Sequence, residues 1–199
     1  MSYTTEIVSD IINNYNKYMV KLKSEPKMEK GFPERFELHE VPDEYRTLEL
    51  CLEAVKQNGK ALQYVPDILK NDCLCLEAVK QNGRALQFVP DILKNDCLCL
   101  EAVKQTGDAL QFVPDILRTE FMCKVSLESK GMVMALYHIP HKHLTKEICL
   151  LGVKQNGITL SNVPHNWRDE EMCKAAMSTN YNAINFIPEK IQHLYKKKK

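Results

Sequence analysis

Three kinds of side chain in this sequence have types and spacings that suit chemistry: thiols, imidazoles and paired carboxylates. Six of the eight cysteines, Cys51, Cys75, Cys99, Cys123, Cys149 and Cys173, recur at intervals of 24, 24, 24, 26 and 24 residues. Such a row is a potential set of metal ligands. Each member, however, stands beside Leu and Val on an apolar helix face, where a free Cys behaves as a small hydrophobe. We read the row as reduced core thiols. Cys73 and Cys97 form Cys-x-Cys pairs with Cys75 and Cys99. On a helix, residues i and i+2 point about 200° apart, so such a pair cannot share an ion. Cys73 and Cys97 fall in a first helical turn, where the dipole lowers a thiol pKa, and are the thiols expected to react.

His138, His141 and His143 form an H-x-x-H-x-H cluster, with His165 one repeat later. This is the best metal candidate in the chain. His138 nevertheless occupies a slot held elsewhere by Tyr64 and Phe88, and His143 one held by Leu69. No four-ligand set is complete, so neither a metal nor another cofactor is expected. The chain contains no G-x-S-x-G, no H-E-x-x-H and no Gly-rich phosphate loop. The paired carboxylates Glu170 and Glu171 sit at a helix start, where the helix dipole explains them. The chain is therefore not expected to be an enzyme.

The elements that must position these residues form a repeat. Pro42, Pro66, Pro90, Pro114, Pro140, Pro164 and Pro188 march in step with the cysteines, as do Gly59, Gly83, Gly107, Gly131 and Gly157. The sixth copy has Tyr181 in place of the glycine. Residues 67–90 and 91–114 differ at two positions only, Asn82/Thr106 and Arg84/Asp108. Four residues before each ladder Cys stands a helix N-cap: Thr47, Asn71, Asn95, Thr119, Thr145 or Asp169. A helix of about ten residues follows and ends at the Gly, expected as a left-handed C′ residue. In the first copy Leu48, Cys51, Leu52 and Val55 make an i, i+3, i+4, i+7 stripe. A short second element, such as residues 61–65, ends at the Pro. Leu62, Tyr64, Val65, Ile68 and Leu69 recur as apolar residues in the next copy.

A 24-residue unit cannot bury this much apolar surface alone, whereas stacked units can. The expected fold is all-α, a right-handed-type α-solenoid of about six short two-helix repeats with an N-terminal capping helix. Residues 1–23 read as that helix, 24–41 as a linker, 43–188 as the array and 189–199 as a basic tail. The helix before the array is alternatively a dimerising element.

The 199 residues carry 27 basic and 26 acidic side chains, 44% hydrophobic residues and a net charge of +1. That balance argues against disorder and against a general polyanion binder. No apolar run approaches the ~20 residues that span a bilayer. No basic segment followed by an apolar stretch opens the chain, so a cytoplasmic protein, or one delivered into a host cytosol, is expected.

The unit, L-x-A-V-K-Q-N-G-x-A-L-Q-[FY]-V-P-x-x-L-K-N-D, resembles the repeats called domain of unknown function 4116, over about residues 43–190. The resemblance is strongest in the first three copies, and Ser126, Gly152 and Tyr181 depart from it. It implies the repeat fold and supplies no catalytic residues.

The regular polar positions are the candidate binding surface: Lys56, Gln57, Lys60 and Gln63, then Lys80, Gln81, Arg84 and Gln87, then Lys104, Gln105, Asp108 and Gln111. The charge reversal between Arg84 and Asp108 marks that position as exposed. The leading expectation is a non-catalytic protein that binds a protein partner as an adaptor, effector or inhibitor. The alternative is a nucleic-acid-binding helical repeat, motivated by the Lys row and the Lys196–Lys199 tail. A third is a metal- or redox-dependent protein using the histidines above, or Cys73 and Cys97.

Overall fold

The computed structural model describes residues 2–24, 27–29, 32–34, 37–129 and 135–195. Gly131 of the glycine row, Pro26 and Gly31 of the expected linker, and the Lys196–Lys199 tail lie outside the described residues, as do the side chains of Ile7 and Val8. The fold is an all-α repeat array. Two compact units make it up, Met1–Lys94 and Asn95–Lys199.

Six helices share one plan. These are α2 (Leu48–Gln57) and α3 (Asp72–Gln81) in the first unit. In the second they are α4 (Asp96–Gln105), α5 (Glu120–Glu128), α6 (Lys146–Gln155) and α7 (Glu170–Thr179). Every expected N-cap functions. The side chains of Thr47, Asn71, Asn95, Thr119, Thr145 and Asp169 each accept from the amide three residues on, at 2.9–3.3 Å. Each thus satisfies one of the free donors of a first turn.

The second element of a repeat is a six-residue 3-10 segment rather than an α-helix, as in Gly59–Tyr64 and Gly83–Phe88. It has its own cap, because Asn58 and Asn82 accept from the Lys60 and Arg84 amides at 3.1 and 3.0 Å. Penned between that Asn and a Pro, six residues hold only the tighter i→i+3 bonds. A further one-turn segment such as Asp67–Leu69 leads to the next cap.

The buried stripe lies one residue away from the expected one. In α2 it is Leu50, Cys51, Ala54 and Val55, and in α3 it is Leu74, Cys75, Ala78 and Val79. Leu48 is 43% exposed. A helix flanked on both sides buries the wider i, i+1, i+4, i+5 band, and Leu48 sits at its open first turn. The departures from the motif in the second unit keep this plan. Ser126 fills the small-residue slot of α5, fully buried, and its hydroxyl donates to the Cys123 carbonyl at 2.7 Å.

The glycines that end the helices are not in the left-handed region. Asn58 is extended at φ −149°, and Gly59 opens the 3-10 segment. The requirement is close approach. A Cβ on Gly59 would overlap the Ala78 carbonyl oxygen of the next repeat and meet the Asn82 amide nitrogen at 3.1 Å. Gly157 faces the Ala176 carbonyl in the same way. Tyr181, at the same position of the last repeat, is 55% exposed.

At the start of the first unit, α1 (Ser2–Lys23) lies against α2. Leu22 is buried, the Tyr15 hydroxyl donates to Glu49 at 2.7 Å, and Gln57 donates to the Leu22 carbonyl at 2.8 Å. The segment read as a linker contains an antiparallel pair of short strands, β1 (Lys27–Glu29) and β2 (Phe32–Glu34), in the register Met28 opposite Pro33. It also supplies Leu38 and Val41 to the core. A short helix, α8 (Glu189–Gln192), follows the last repeat.

Candidate interaction surfaces

The thiol row is core. Cys51, Cys75, Cys99, Cys123, Cys149 and Cys173 are fully buried, and none of the eight cysteines is in a disulfide. Burial pushes the thiols of Cys51, Cys75, Cys123, Cys149 and Cys173 up to about 11. Those thiols stay protonated and unreactive at neutral pH. Cys73 and Cys97 are exposed, as their place in a first turn implies. The histidines separate: His141 and His165 are exposed, while His138 and His143 are half-buried. Among the described residues, no three His, Cys, Asp or Glu side chains are grouped so as to hold a metal ion. His138 lies edge-on to Tyr137, with ring centroids 5.4 Å apart. Its pKa is lowered by burial, while the nearby Asp108 carboxylate acts the other way.

That carboxylate corrects the sequence reading. Asp108 is only 4% exposed, whereas Arg84, at the same position of the preceding repeat, is exposed. The charge reversal therefore marks a change of environment, with the aspartate covered near His138 and Arg118. The other polar positions divide. Lys56, Lys60, Gln63, Lys80, Gln81 and Gln87 are exposed in the first unit, and Lys104, Gln105 and Gln111 in the second. Gln57 is half-buried and tied to α1 through its bond to Leu22. Gln87 and Gln111 donate back to the carbonyls of residues 84 and 108, at 3.1 and 2.9 Å, so their amides brace their own turns.

Two further rows emerge from the geometry. The first is cationic and sits four residues after the ladder proline. Arg46 donates to the carbonyl of Tyr64, and Lys70 to that of Phe88, at 2.9 and 3.0 Å. In the second unit Arg168 reaches Phe186 at 2.9 Å. Each bond spans 18 residues and ties the turn at the start of a repeat to the 3-10 segment near its end. Lys70 and Lys94 are about nine-tenths covered, and each pairs with the aspartate three residues before it, Asp67 and Asp91, at 2.8 and 2.9 Å. The regular recurrence of Arg or Lys at this slot was the available signal.

The second row is apolar. Ile68 and Ile92 of the first unit are 92% and 93% exposed, and Ile116 of the second is 88% exposed. From its recurrence with Leu62, Val65 and Leu69, Ile68 is expected to pack. The turn Asp67–Leu69 instead directs it to solvent, while Leu69 turns partly inward. The signal lay in the other copies, where the same slot holds Glu44, Lys142, Asn166 and Lys190. A core position does not accept charge so freely.

Among the described residues, no helix is long and apolar enough to cross a membrane. A family model described as domain of unknown function (DUF4116) matches residues 47–94, 73–118 and 145–192, which together take in more than half of the chain. No curated protein matches the sequence, and no solved structure matches it.

Proposed function

Because the chain belongs to the family of domain of unknown function 4116 repeats, we propose that it is a non-catalytic binding protein that engages a protein partner on surfaces shared by its repeats. It acts as an adaptor, effector or inhibitor and works in the cytoplasm, where cysteines stay reduced. One observation carries the reading. Isoleucine stands almost wholly in water at the same slot of three successive repeats, Ile68, Ile92 and Ile116. Single exposed hydrophobes are ordinary, but the same one recurring at a fixed register is what a binding surface needs and folding does not. The exposed polar positions, Lys80, Gln81 and Arg84 among them, supply polar contacts of the kind found at an interface rim.

Affinity capture from cell lysate with the full chain, with and without nuclease and followed by mass spectrometry, tests the proposal. A near-stoichiometric protein that survives nuclease supports it. Recovery of nucleic acid, or loss of every partner after nuclease, overturns it in favour of a nucleic-acid-binding repeat.

A further inference from the structure

We infer that the edge of the first unit carrying Ile68 and Ile92 is a docking site for a basic, aliphatic segment of another protein, one that alternates Lys or Arg with branched apolar side chains. The inference rests on the protein-binding reading above and specifies the partner's chemistry.

The apolar part comes from Ile68 and Ile92, 92% and 93% exposed, with the exposed Cys73 five residues after Ile68. The two isoleucines are held in fixed relation. Lys70, two residues after Ile68, donates to the carbonyl of Phe88, four residues before Ile92, at 3.0 Å. A pre-set pair of aliphatic side chains loses little freedom on binding.

The electrostatic part selects the occupant. The exposed charges beside the isoleucines are carboxylates: Asp67 and Asp91 have side chains 84% and 88% exposed, and Asp72 is exposed. The cations of the same turns, Lys70 and Lys94, are turned under the surface, with side chains only 9% and 10% exposed. An approaching ligand therefore meets aliphatic carbon flanked by carboxylate oxygens, those of Asp67 and Asp91 facing outward from the lysines paired beneath them and that of Asp72 adding further negative charge. Basic residues complement that pattern, and acidic ones are repelled by it. The first repeat has Glu44 at the isoleucine slot and Glu49 at the Cys73 slot, so the apolar footing starts at the second repeat while the acidic character continues beside it.

The test measures fluorescence anisotropy of a labelled peptide of alternating lysine and leucine against the full chain. An Ile68→Ser/Ile92→Ser variant and a peptide of alternating glutamate and leucine serve as comparisons. Neither isoleucine is packed, so the variant is expected to melt like the wild type in circular dichroism. The lysine–leucine peptide is expected to bind the wild type, to weaken at least about tenfold on the variant, and to weaken further with salt. The glutamate–leucine peptide is expected not to bind.

Equal affinity of the two proteins, or of the two peptides, overturns the site. So does self-association of the chain alone that the variant abolishes, because a second copy is then the occupant. The variant also enters the lysate capture. A protein retained equally by variant and wild type overturns this site and leaves protein binding standing. Recovery of no protein by either one overturns both.

Discussion

The ammonium group of Lys70 lies 3.0 Å from the main-chain carbonyl of Phe88, at the far end of the same repeat, and 2.8 Å from its own Asp67 carboxylate. A cation nine-tenths covered is thus compensated by one full charge and one carbonyl dipole, which keeps its burial from being destabilising. The bond also closes the repeat on itself, tying the turn before α3 to the 3-10 segment after it.

Lys70→Met keeps the aliphatic stem and removes the donor, leaving the Phe88 carbonyl short of a partner. It is expected to destabilise the protein by about 1–3 kcal/mol in chemical denaturation. Lys70→Arg is expected to retain most of that stability, since Arg46 makes the same bond to Tyr64. An unchanged stability of Lys70→Met would show that the bond contributes nothing.

Two glycines are expected to respond in opposite directions. Gly59→Ala drives a Cβ into the Ala78 carbonyl of the next repeat, and is expected to cost about 1–3 kcal/mol or more. Gly152 lies inside α6, and a Cβ there meets Leu127 and Leu136 at ordinary contact distances of 3.4–3.5 Å. Gly152→Ala is expected to stabilise by about 0.5–1 kcal/mol, through lower backbone entropy in the unfolded chain. Thermal melts of the pair decide both.

A thiol reagent at neutral pH is expected to modify Cys73 and Cys97 quickly in the folded protein and the other six cysteines only on unfolding. Burial shields all six ladder thiols and raises the ionisation barrier of Cys51, Cys75, Cys123, Cys149 and Cys173. The Cys73→Ser/Cys97→Ser variant is expected to show no fast phase. Rapid modification of Cys75 or Cys149 in native protein would contradict the packing described for α3 and α6.

His138 stands in an aromatic slot, and burial lowers its pKa below the ordinary value, against the pull of Asp108 and with that of Arg118. The unfolded chain therefore binds its proton more readily than the folded one. The stability tied to neutral His138 is complete above the ordinary histidine pKa and is lost as pH falls through the lowered folded value. His138→Phe, which copies Phe88 and Phe112, is expected to remove this contribution and flatten the loss between about pH 7 and pH 5. Melts of wild type and variant across that range measure it.

Much of the architecture was legible in the residues alone. The Pro, Cys and Gly rows define the repeat, and a side-chain oxygen three residues before its target amide is a local signal, so all six N-caps were readable. The ladder thiols followed from their neighbours within one helical turn. Less was legible of the candidate surface: the exposed lysines and glutamines were identified, and the isoleucines were not. A Pro-Asp-Ile-Leu turn has no 3.6-residue or two-residue period to tell which of Ile68 and Leu69 faces solvent.

What the sequence by itself determined is whatever acts within about one turn of chain: caps, helix lengths, breaks and the period of the repeat. The tertiary structure alone decided four things. It set the burial of Asp108 against the exposure of Arg84, the reason for Gly59, the partner of Lys70 and the direction of Ile68. Gly59 and Asp108 depend on what the next repeat brings to the position, Lys70 finds its partner 18 residues along the chain, and Ile68 follows from how its turn lies on the core. Pattern along the chain records the type of a side chain, but the neighbour that covers it, or leaves it in water, is supplied only when the repeats stack.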